Sequence, residues 1–562
     1  MHPLGSTLDE YRRAVESFTW QVPAEFNFGR DVVDRWAQSP DRPALLWRDA
    51  SGAERRLSYA EISGMARRAA HLFRSLGVAA GEPVIVMLPR VPEWQAVIVG
   101  LLEIGALVVP SSTQLRPKDV LYRATHSGAV AIVASQECVD AVDAVRGELA
   151  TVKHFLAWQA RGHTTAGWTD LSESLASSPD DASAGRPTRA SDPALVYYTS
   201  GTTGPPKAVL HDHGYTWTQR YTSRFWHGVR EGERLWTTSD TGWAKAAYGV
   251  IFGPWSEGAE VVLYHGRFEP KAELAFLSEI APHVFCAPPT EFRLLVKEDL
   301  SQLAVPRLRE CLSAGEPLNP EVIRSWREAT GITIRDGYGQ TETILLVANY
   351  PGQPVRPGAM GLPMPGFRVE VIDERGDAMP AGEVGDIAVL GHPPGLSREY
   401  WKDPEATARA RRPAKLADAQ RAEGERRWAP AKGERGEWYL TGDRAWRDED
   451  GVFWFVGRDD DVIISAGYRI GPFEVESALI EHPAVLESAA VAAPDPDRGS
   501  VVKAFVVLRD GFTASDALAR ELQDHVKRVT APYKYPRAIE FAKELPKTVS
   551  GKIRRVELRQ RS

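Results

Sequence analysis

Cysteine is scarce in this 562-residue chain: Cys138, Cys286 and Cys311 are widely separated and odd in number. That excludes a disulfide framework and a thiolate zinc site, and suits a reducing compartment, read here as the cytoplasm. Basic residues are also in deficit, with 68 Lys and Arg against 75 Asp and Glu, for a net charge of -7. A chain of this sign has no overall field to hold nucleic acid. Long apolar runs are missing. The most apolar stretch, Trp94 to Val109, contains Glu103 and is broken by Gly100 and Gly105. A spanning helix needs about 20 apolar residues, so this stretch reads as a core helix, a turn and the strand Ala106–Val109. The opening Met1-His-Pro-Leu-Gly-Ser6 has no basic segment followed by an apolar run, so no secretory leader is expected. What remains is ordinary: 43% hydrophobic and 25% charged residues. That composition excludes a disordered or fibrous chain, and the length predicts several domains with large cores.

Patterning predicts an α/β body. Ser58 and Glu61 have the spacing of a capping box, and Met65, Ala69, Leu72 and Leu76 follow at helical intervals. Pro83 to Leu88 reads as a buried strand, Glu93–Ile104 as a helix and Leu107–Val109 as the next strand. Val130–Ala134 and Glu260–Leu263 are further strand candidates. Helices alternating with Val- and Ile-rich strands imply parallel sheets covered on both faces. Two segments look like inserts or linkers. Ser172–Ser191 is rich in Ser, Ala, Asp and Pro, and Arg409–Gly436 is mostly Ala, Arg, Lys and Glu. The second has too few apolar anchors to bury much and reads as a solvated loop or surface helix. The tail from Lys543 to Ser562 carries seven basic residues against two acidic ones. Charge alone leaves it either a solubilising tail or a phosphate-seeking element.

The chemistry starts at a loop. Ala194–Tyr198 is a short apolar strand that runs into Thr199-Ser-Gly-Thr-Thr-Gly-Pro-Pro-Lys207. Gly201 and Gly204 permit close backbone approach to an anion. Thr199, Ser200, Thr202 and Thr203 offer hydroxyl donors, and Lys207 adds a point charge. Ala208 follows that lysine where a Walker loop needs Ser or Thr, so a P-loop fold is not supported.

This loop resembles the phosphate loop of the adenylate-forming superfamily of acyl-CoA synthetases, peptide-synthetase adenylation domains and luciferases. Further segments match the superfamily in order: Ser313-Ala-Gly-Glu-Pro317, Asp336-Gly-Tyr-Gly-Gln-Thr-Glu342, Tyr439-Leu-Thr-Gly-Asp443, Gly457-Arg-Asp-Asp-Asp461, Gly467-Tyr-Arg469 and Pro546-Lys-Thr-Val-Ser-Gly-Lys552. Ser239-Asp-Thr-Gly-Trp243, Ile464–Glu476 and Val529–Pro536 are similar to the medium-chain acyl-CoA synthetase branch in particular. The likeness spans about Phe26 to Arg555. It implies a large N-terminal body (1–459) of stacked mixed and parallel sheets with flanking helices and a small barrel-like subdomain. A small mobile α+β lid (460–562) would follow, hinged at Asp460.

The resemblance implies a reaction in two halves. A carboxylate attacks the α-phosphate of ATP, giving acyl-adenylate and pyrophosphate; the coenzyme A thiol then displaces AMP. Both halves crowd negative charge, so positioning and electrostatics should dominate. By resemblance Lys552 serves the adenylation step and Thr341 meets the α-phosphate. Glu342 would hold Mg²⁺, since a carboxylate beside a triphosphate repels it unless a cation lies between. The adenine walls would be Gly315, Glu316, Pro317, Asp336, Gly337 and Tyr338, continuing into Gly339 and Gln340. Asp443 would take the ribose hydroxyls, with Arg458 assisting; its residue pattern alone fits a local Asx turn equally well. Arg469 could serve phosphate in one state and coenzyme A in the other. The coenzyme A path would involve Trp243, Ala466, Gly467, Tyr468, Arg469, Arg498, Lys527 and Tyr535. Ala466 departs from the Ser that many members carry.

For the acyl pocket the resemblance points to Trp243, Gly339 and Ile344. Acetyl-specific relatives have a bulky Trp at the position of Gly339, so glycine predicts an open pocket for a medium-chain fatty or aryl acid. The competing reading is that Gly339 serves only the turn. Ile344-Leu-Leu346 adds bulk where the branch has glycine, and Lys245 is a charged oddity that either faces solvent or meets a second substrate carboxylate. The alternatives are a carrier-loading or amino-acid adenylating enzyme, a short-chain ligase, or an idle nucleotide-binding scaffold. Expected partners are a small carboxylic acid, ATP and coenzyme A, with no nucleic acid and no membrane span. A lysine acetyltransferase and deacetylase acting on Lys552 are further candidates.

Overall fold

The computed structural model describes residues 2–158, 166–199, 205–414, 436–458, 461–465, 468–495, 499–547 and 552–562. Among them, two large sheets form the body. One runs in the order Glu399–Tyr400, Ala208–Asp212, Pro193–Tyr198, Leu107–Pro110, Pro83–Met87, Ala131–Ser135, His154–Trp158, Thr169–Asp170. Its strands from Pro193–Tyr198 onward are parallel, and the first two are antiparallel additions. The other is nine-stranded, with Pro43–Asp49, Glu260–His265, Arg234–Thr237, Val284–Cys286, Glu310–Ala314 and Ile334–Gly339 as its parallel centre. Ligand sites in such sheets gather outside the carboxyl ends of the strands, which here means after Tyr198, Cys286, Ala314 and Gly339.

Local expectations hold where patterning was strong. Tyr59–Ser75 is a helix whose Ser58 and Glu61 form the capping box, with Glu61 N donating to Ser58 Oγ at 3.2 Å and Ser58 N to Glu61 Oε2 at 2.7 Å. Pro92–Glu103 is a buried helix, but Gly100 does not break it. A Cβ there would stand 2.4 Å from Ala66 O, so the glycine lets this helix lie directly on Tyr59–Ser75. The Ser172–Ser191 segment is no linker. Thr188 is buried and hydrogen-bonded to Asn27 and Phe26, Arg186 N donates to Glu103 O, and His71 meets Asp181. Most of its small polar residues are nonetheless exposed, and Thr188 is the polar one among them that is buried. In the other insert, Arg411–Pro413 pairs with the long strand Glu437–Arg447; residues 415–435 lie outside the described ones.

A five-stranded antiparallel sheet built on Gly385–Leu390 and Glu437–Arg447 ends at Arg458. Beyond it lies a separate core. Val485–Asp495, Gly499–Leu508 and Ala538–Phe541 form a three-stranded sheet, on which Pro472–Ile480 and Asp516–Val529 pack through Val475, Leu479, Leu522 and Val526. This unit touches the body: Asn319 Nδ2 donates to Ser477 O at 3.4 Å. No helix among the described residues is long and apolar enough to cross a membrane. The three cysteines are free and buried.

Candidate active site

The glycine-rich loop joins two antiparallel strands, and Thr199 N donates to Lys207 O at 2.9 Å to close its mouth. Ser200, Gly201, Thr202, Thr203 and Gly204 lie outside the described residues. Lys207 is exposed, with Nζ 4.7 Å from the ring centroid of Tyr400. Tyr400 comes from a two-residue strand paired to Ala208–Asp212, and its hydroxyl donates to Glu342 Oε1 at 2.8 Å. Burial raises the Glu342 pKa, while the Tyr400 hydrogen bond and the Lys207 charge pull it down. The next residue back, Thr341, is fixed through its carbonyl, which accepts from His211 Nε2 at 2.7 Å. Burial lowers His211 to about 4, so it stays neutral with the proton on that nitrogen.

Across the cleft, Gly442 adopts a φ of +74° and the strand Glu437–Arg447 shifts register just after it. Asp443, 7% exposed, accepts from Tyr338 Oη and from Gln340 Nε2, both at 2.7 Å. Gln340 Nε2 also donates to Thr441 O at 2.8 Å. The Asx-turn alternative fails, because the local turn is held by Thr441 Oγ1 accepting from Asp443 N while the carboxylate reaches the neighbouring sheet. Burial raises the Asp443 pKa, opposed by the Tyr338 hydrogen bond and by the charges of Arg458 and Lys552. Arg458 stands opposite Asp443 in the strand register.

The proposed adenine walls divide. Gly315 is exposed with a φ of +111°, a conformation that favours glycine. Pro317 is half-buried in the same turn, and Glu316 accepts from Thr290 Oγ1 at 2.9 Å and from Arg293 Nη2 at 3.3 Å. Asp336 is not on the wall's face. It is buried, accepts from Gly337 N at 3.0 Å and from the Leu318 backbone, and burial pushes its pKa to about 8. It therefore staples the Gly315 turn to the strand Ile334–Gly339 from behind. Gly337 cannot carry a side chain, since a Cβ would stand 2.7 Å from the Trp226 ring.

The open-pocket argument from Gly339 needs correction. A Cβ there would stand 2.7 Å from Ile344 O and 3.2 Å from Leu345 Cα, so glycine is required by the close approach of its own hairpin. Ile344 is buried with its side chain against Gly395, and it is Leu345 that packs against Gly337. Trp243 is half-buried and caps the short helix Ala244–Ala246.

On the terminal unit, Lys552 is exposed, and its charge acts on Asp443. Three of the tail's other six cations are tied down: Arg555 to Glu476 at 2.8 Å, Arg559 to Asp461 at 2.8 Å and Lys547 to Glu487 at 2.7 Å. These three serve the terminal unit's own packing. Lys527 Nζ lies 4.3 Å from the ring centroid of Tyr535 and 3.0 Å from Asp524. Asp460, Ala466, Gly467 and Arg498 lie outside the described residues; Tyr468 and Arg469 are placed as strand backbone only. Sequence reasoning missed Tyr400, His211, Thr290 and Arg293, which sit in no dense run of small or hydroxyl residues.

Glu342 is the residue that bears on the Mg²⁺ implied by the resemblance. Glu342 offers oxygen donors beside a lysine, and no cluster of three His, Cys, Asp or Glu is present among the described residues. One carboxylate without a cage fits Mg²⁺, which keeps waters and phosphate oxygens as its other ligands.

Residues 32–401 match the model of the AMP-binding enzyme family, and residues 474–552 match the AMP-binding enzyme C-terminal domain. The chain belongs to the AMP-binding enzyme family. Within it, the chain is similar over its whole length to acyl-coenzyme A synthetases. It is 42% identical to the mitochondrial acyl-coenzyme A synthetase ACSM3 of Mus musculus, covering 98% of this chain and 93% of that protein. The mitochondrial ACSM5 of Homo sapiens is also 42% identical, over 96% and 91%. Among solved structures, the anthranilate CoA ligase AuaEII with anthranoyl-AMP superposes with a TM-score of 0.84 at 30% identity, over 96% of this chain and 98% of that one. An acyl-CoA synthetase of Brucella canis gives 0.70 at 34%, over 98% and 97%.

Proposed function

We propose that the chain makes acyl-CoA thioesters from medium-chain fatty or aryl acids, through an acyl-adenylate, with the N-terminal body to 459 and the terminal unit from 460 as its two working parts. The observation that carries this reading is the match along nearly the whole chain to acyl-coenzyme A synthetases, together with the buried Asp443 carboxylate that accepts from Tyr338 Oη and Gln340 Nε2 at 2.7 Å. Fixed cations and donors then surround the place where charge develops on the α-phosphate. Thr341 and Lys207 meet phosphate oxygens together with the glycine-rich loop. Asp443, its carboxylate oriented by Tyr338 and Gln340, accepts from the ribose hydroxyls, and Arg458 adds charge beside it. Glu342 would hold Mg²⁺, whose positive charge offsets that of the phosphates.

Once adenylate forms, coenzyme A needs the space Lys552 occupies. A swing of the terminal unit about Asp460 would bring the Ala466–Arg469 segment to the thiol path, with Lys527, Tyr535 and Arg498 near the nucleotide end of coenzyme A. Trp243 would line the junction of thiol and acyl group. The exposure of Lys552 supports acetylation there, which would delete the charge adenylation needs. Three buried free thiols support a reducing compartment, in our reading the cytoplasm.

The test is a panel of acids from acetate through dodecanoate, with benzoate and phenylacetate, read out as CoA thioester by mass and as AMP release. Thioester from medium-chain or aryl acids, dependent on ATP, is the expected result. Acid-dependent pyrophosphate exchange without any CoA-dependent AMP release would replace this reading with carrier or amine loading. Acetate as the best substrate would refute the acid class.

A further inference from the structure

Gln340 directly follows the strand Ile334–Gly339 of the nine-stranded sheet. Its backbone is fixed by its own turn: Gln340 N donates to Thr343 Oγ1 at 3.0 Å, and Thr343 N to Gln340 O at 3.1 Å. Its carboxamide crosses to the five-stranded sheet and meets the strand Glu437–Arg447. Alternate residues of a strand share a face, and here Tyr439, Thr441 and Asp443 are all buried while Gly442 is exposed. The carboxamide lies along these three. Nε2 donates to Thr441 O at 2.8 Å and to Asp443 Oδ2 at 2.7 Å, and Oε1 accepts from Tyr439 Oη at 3.3 Å.

The chemistry permits one assignment of the two amide ends. A carbonyl oxygen only accepts, so the atom facing Thr441 O must be the amide nitrogen. Oε1 then faces Tyr439 and needs a donor. Tyr439 supplies one, because burial raises its pKa well above the ordinary value and keeps the hydroxyl protonated. This hydrogen bond removes the reason for the amide to turn. It also polarises the amide, so that its N–H groups donate more strongly. At the far end stands Asp443, whose Oδ2 is shared by Gln340 and Tyr338.

Tyr439 is itself held in place. It is 3% exposed and opposite Arg411 in the strand register, with the Arg411 guanidinium 5.4 Å from its ring centroid. That guanidinium is anchored on Gly391 O at 3.1 Å and His392 Nδ1 at 3.0 Å. The tyrosine is thus a fixed post behind the amide, and it reaches the ribose side of the cleft through Gln340.

We infer that Tyr439 is a positioning residue for ribose recognition: through the Gln340 carboxamide it sets the aim of the Asp443 carboxylate, and with it the preference for a nucleotide that carries both ribose hydroxyls. This rests on the assignment of Asp443 to the ribose in the reading above. A site that hydrogen-bonds a hydroxyl rejects the analogue lacking it because its own polar groups are then left unpaired, and that requires those groups to keep their aim.

Titration calorimetry with magnesium present gives Kd for ATP and for 2′,3′-dideoxy-ATP without any acid turning over. The intact chain should bind ATP about ten-fold or more tightly than the dideoxy analogue. Tyr439→Phe removes one oxygen and keeps the ring. It should weaken ATP by about three- to ten-fold and the dideoxy analogue by less than about two-fold, so that the preference shrinks. In a Gln340→Ala background the same substitution should cost nothing further. Equal losses for both nucleotides would show a purely structural role and overturn the inference, as would a preference that Tyr439→Phe leaves unchanged. Losses that add to those of Gln340→Ala would overturn the route through the amide. An intact chain that binds both nucleotides equally would overturn the inference together with the ribose role of Asp443. The expected discrimination, with thioester formed from no acid, would uphold the inference and sink the acyl-CoA synthetase reading instead.

Discussion

Asp443 and Lys552 belong to two regions built on different principles. Asp443 is 7% exposed and fixed by two side-chain donors at 2.7 Å, on a strand paired within the five-stranded sheet. Lys552 is exposed, while the surrounding unit forms ion pairs through Arg555, Arg559 and Lys547. The body positions by burial and hydrogen bonding, which gives fixed geometry. On the proposed mechanism the terminal unit would position by where it sits as a whole, so that its lysine would leave with the swing of the unit. A reaction with two half-steps in one space needs both kinds.

Lys552→Ala should break this comparison most sharply. Acid-dependent pyrophosphate exchange should fall by about 10²–10³, while thioester formation from supplied acyl-adenylate stays near the unmodified rate. Equal loss in both would mean that Lys552 is as fixed a part of the site as Asp443. Asp443→Asn should weaken both halves, since the ribose stays bound throughout; a fall in kcat/KM for ATP of about 10- to 100-fold is expected for loss of a charged acceptor. An effect confined to adenylation would contradict its static role.

The difference between the regions also explains what was legible beforehand. The capping box at Ser58 and Glu61, the strand Pro193–Tyr198 and the ordered motifs were readable because each is a local pattern. Tyr400 and His211 were not, because each acts through a long-range contact: Tyr400 on Glu342, and His211 on the Thr341 carbonyl. Asp336 was read as a wall residue from its motif, but burial turned it into a staple behind that wall. Gly339 was read from what a side chain would fill; the constraint came instead from backbone at 2.7 Å. Ser172–Ser191 looked like an insert or linker because composition does not show its few anchors, such as the buried Thr188 hydroxyl on Phe26 O.

The smallest effect expected concerns the body's stability. Burial pushes Glu103 up to about 8, with Oε1 unpaired. The folded state then holds a proton that the unfolded state releases above its ordinary carboxylate range. Stability from this group is therefore full at low pH and is lost as pH rises toward 8. Glu103→Gln should flatten that part of the melting-temperature profile between pH 5 and 8, by on the order of 2 °C, without changing either half-reaction. A profile unchanged by the substitution would show that Glu103 is ionised in the folded body.

The central claim is that the acid's own carboxylate attacks the α-phosphorus and that AMP then leaves with one of its oxygens. Turnover of an acid whose carboxylate is labelled with heavy oxygen, with the products resolved by mass spectrometry, tests this directly. The account predicts one labelled oxygen in AMP and none in pyrophosphate. Label in pyrophosphate, or AMP wholly free of label, would contradict it.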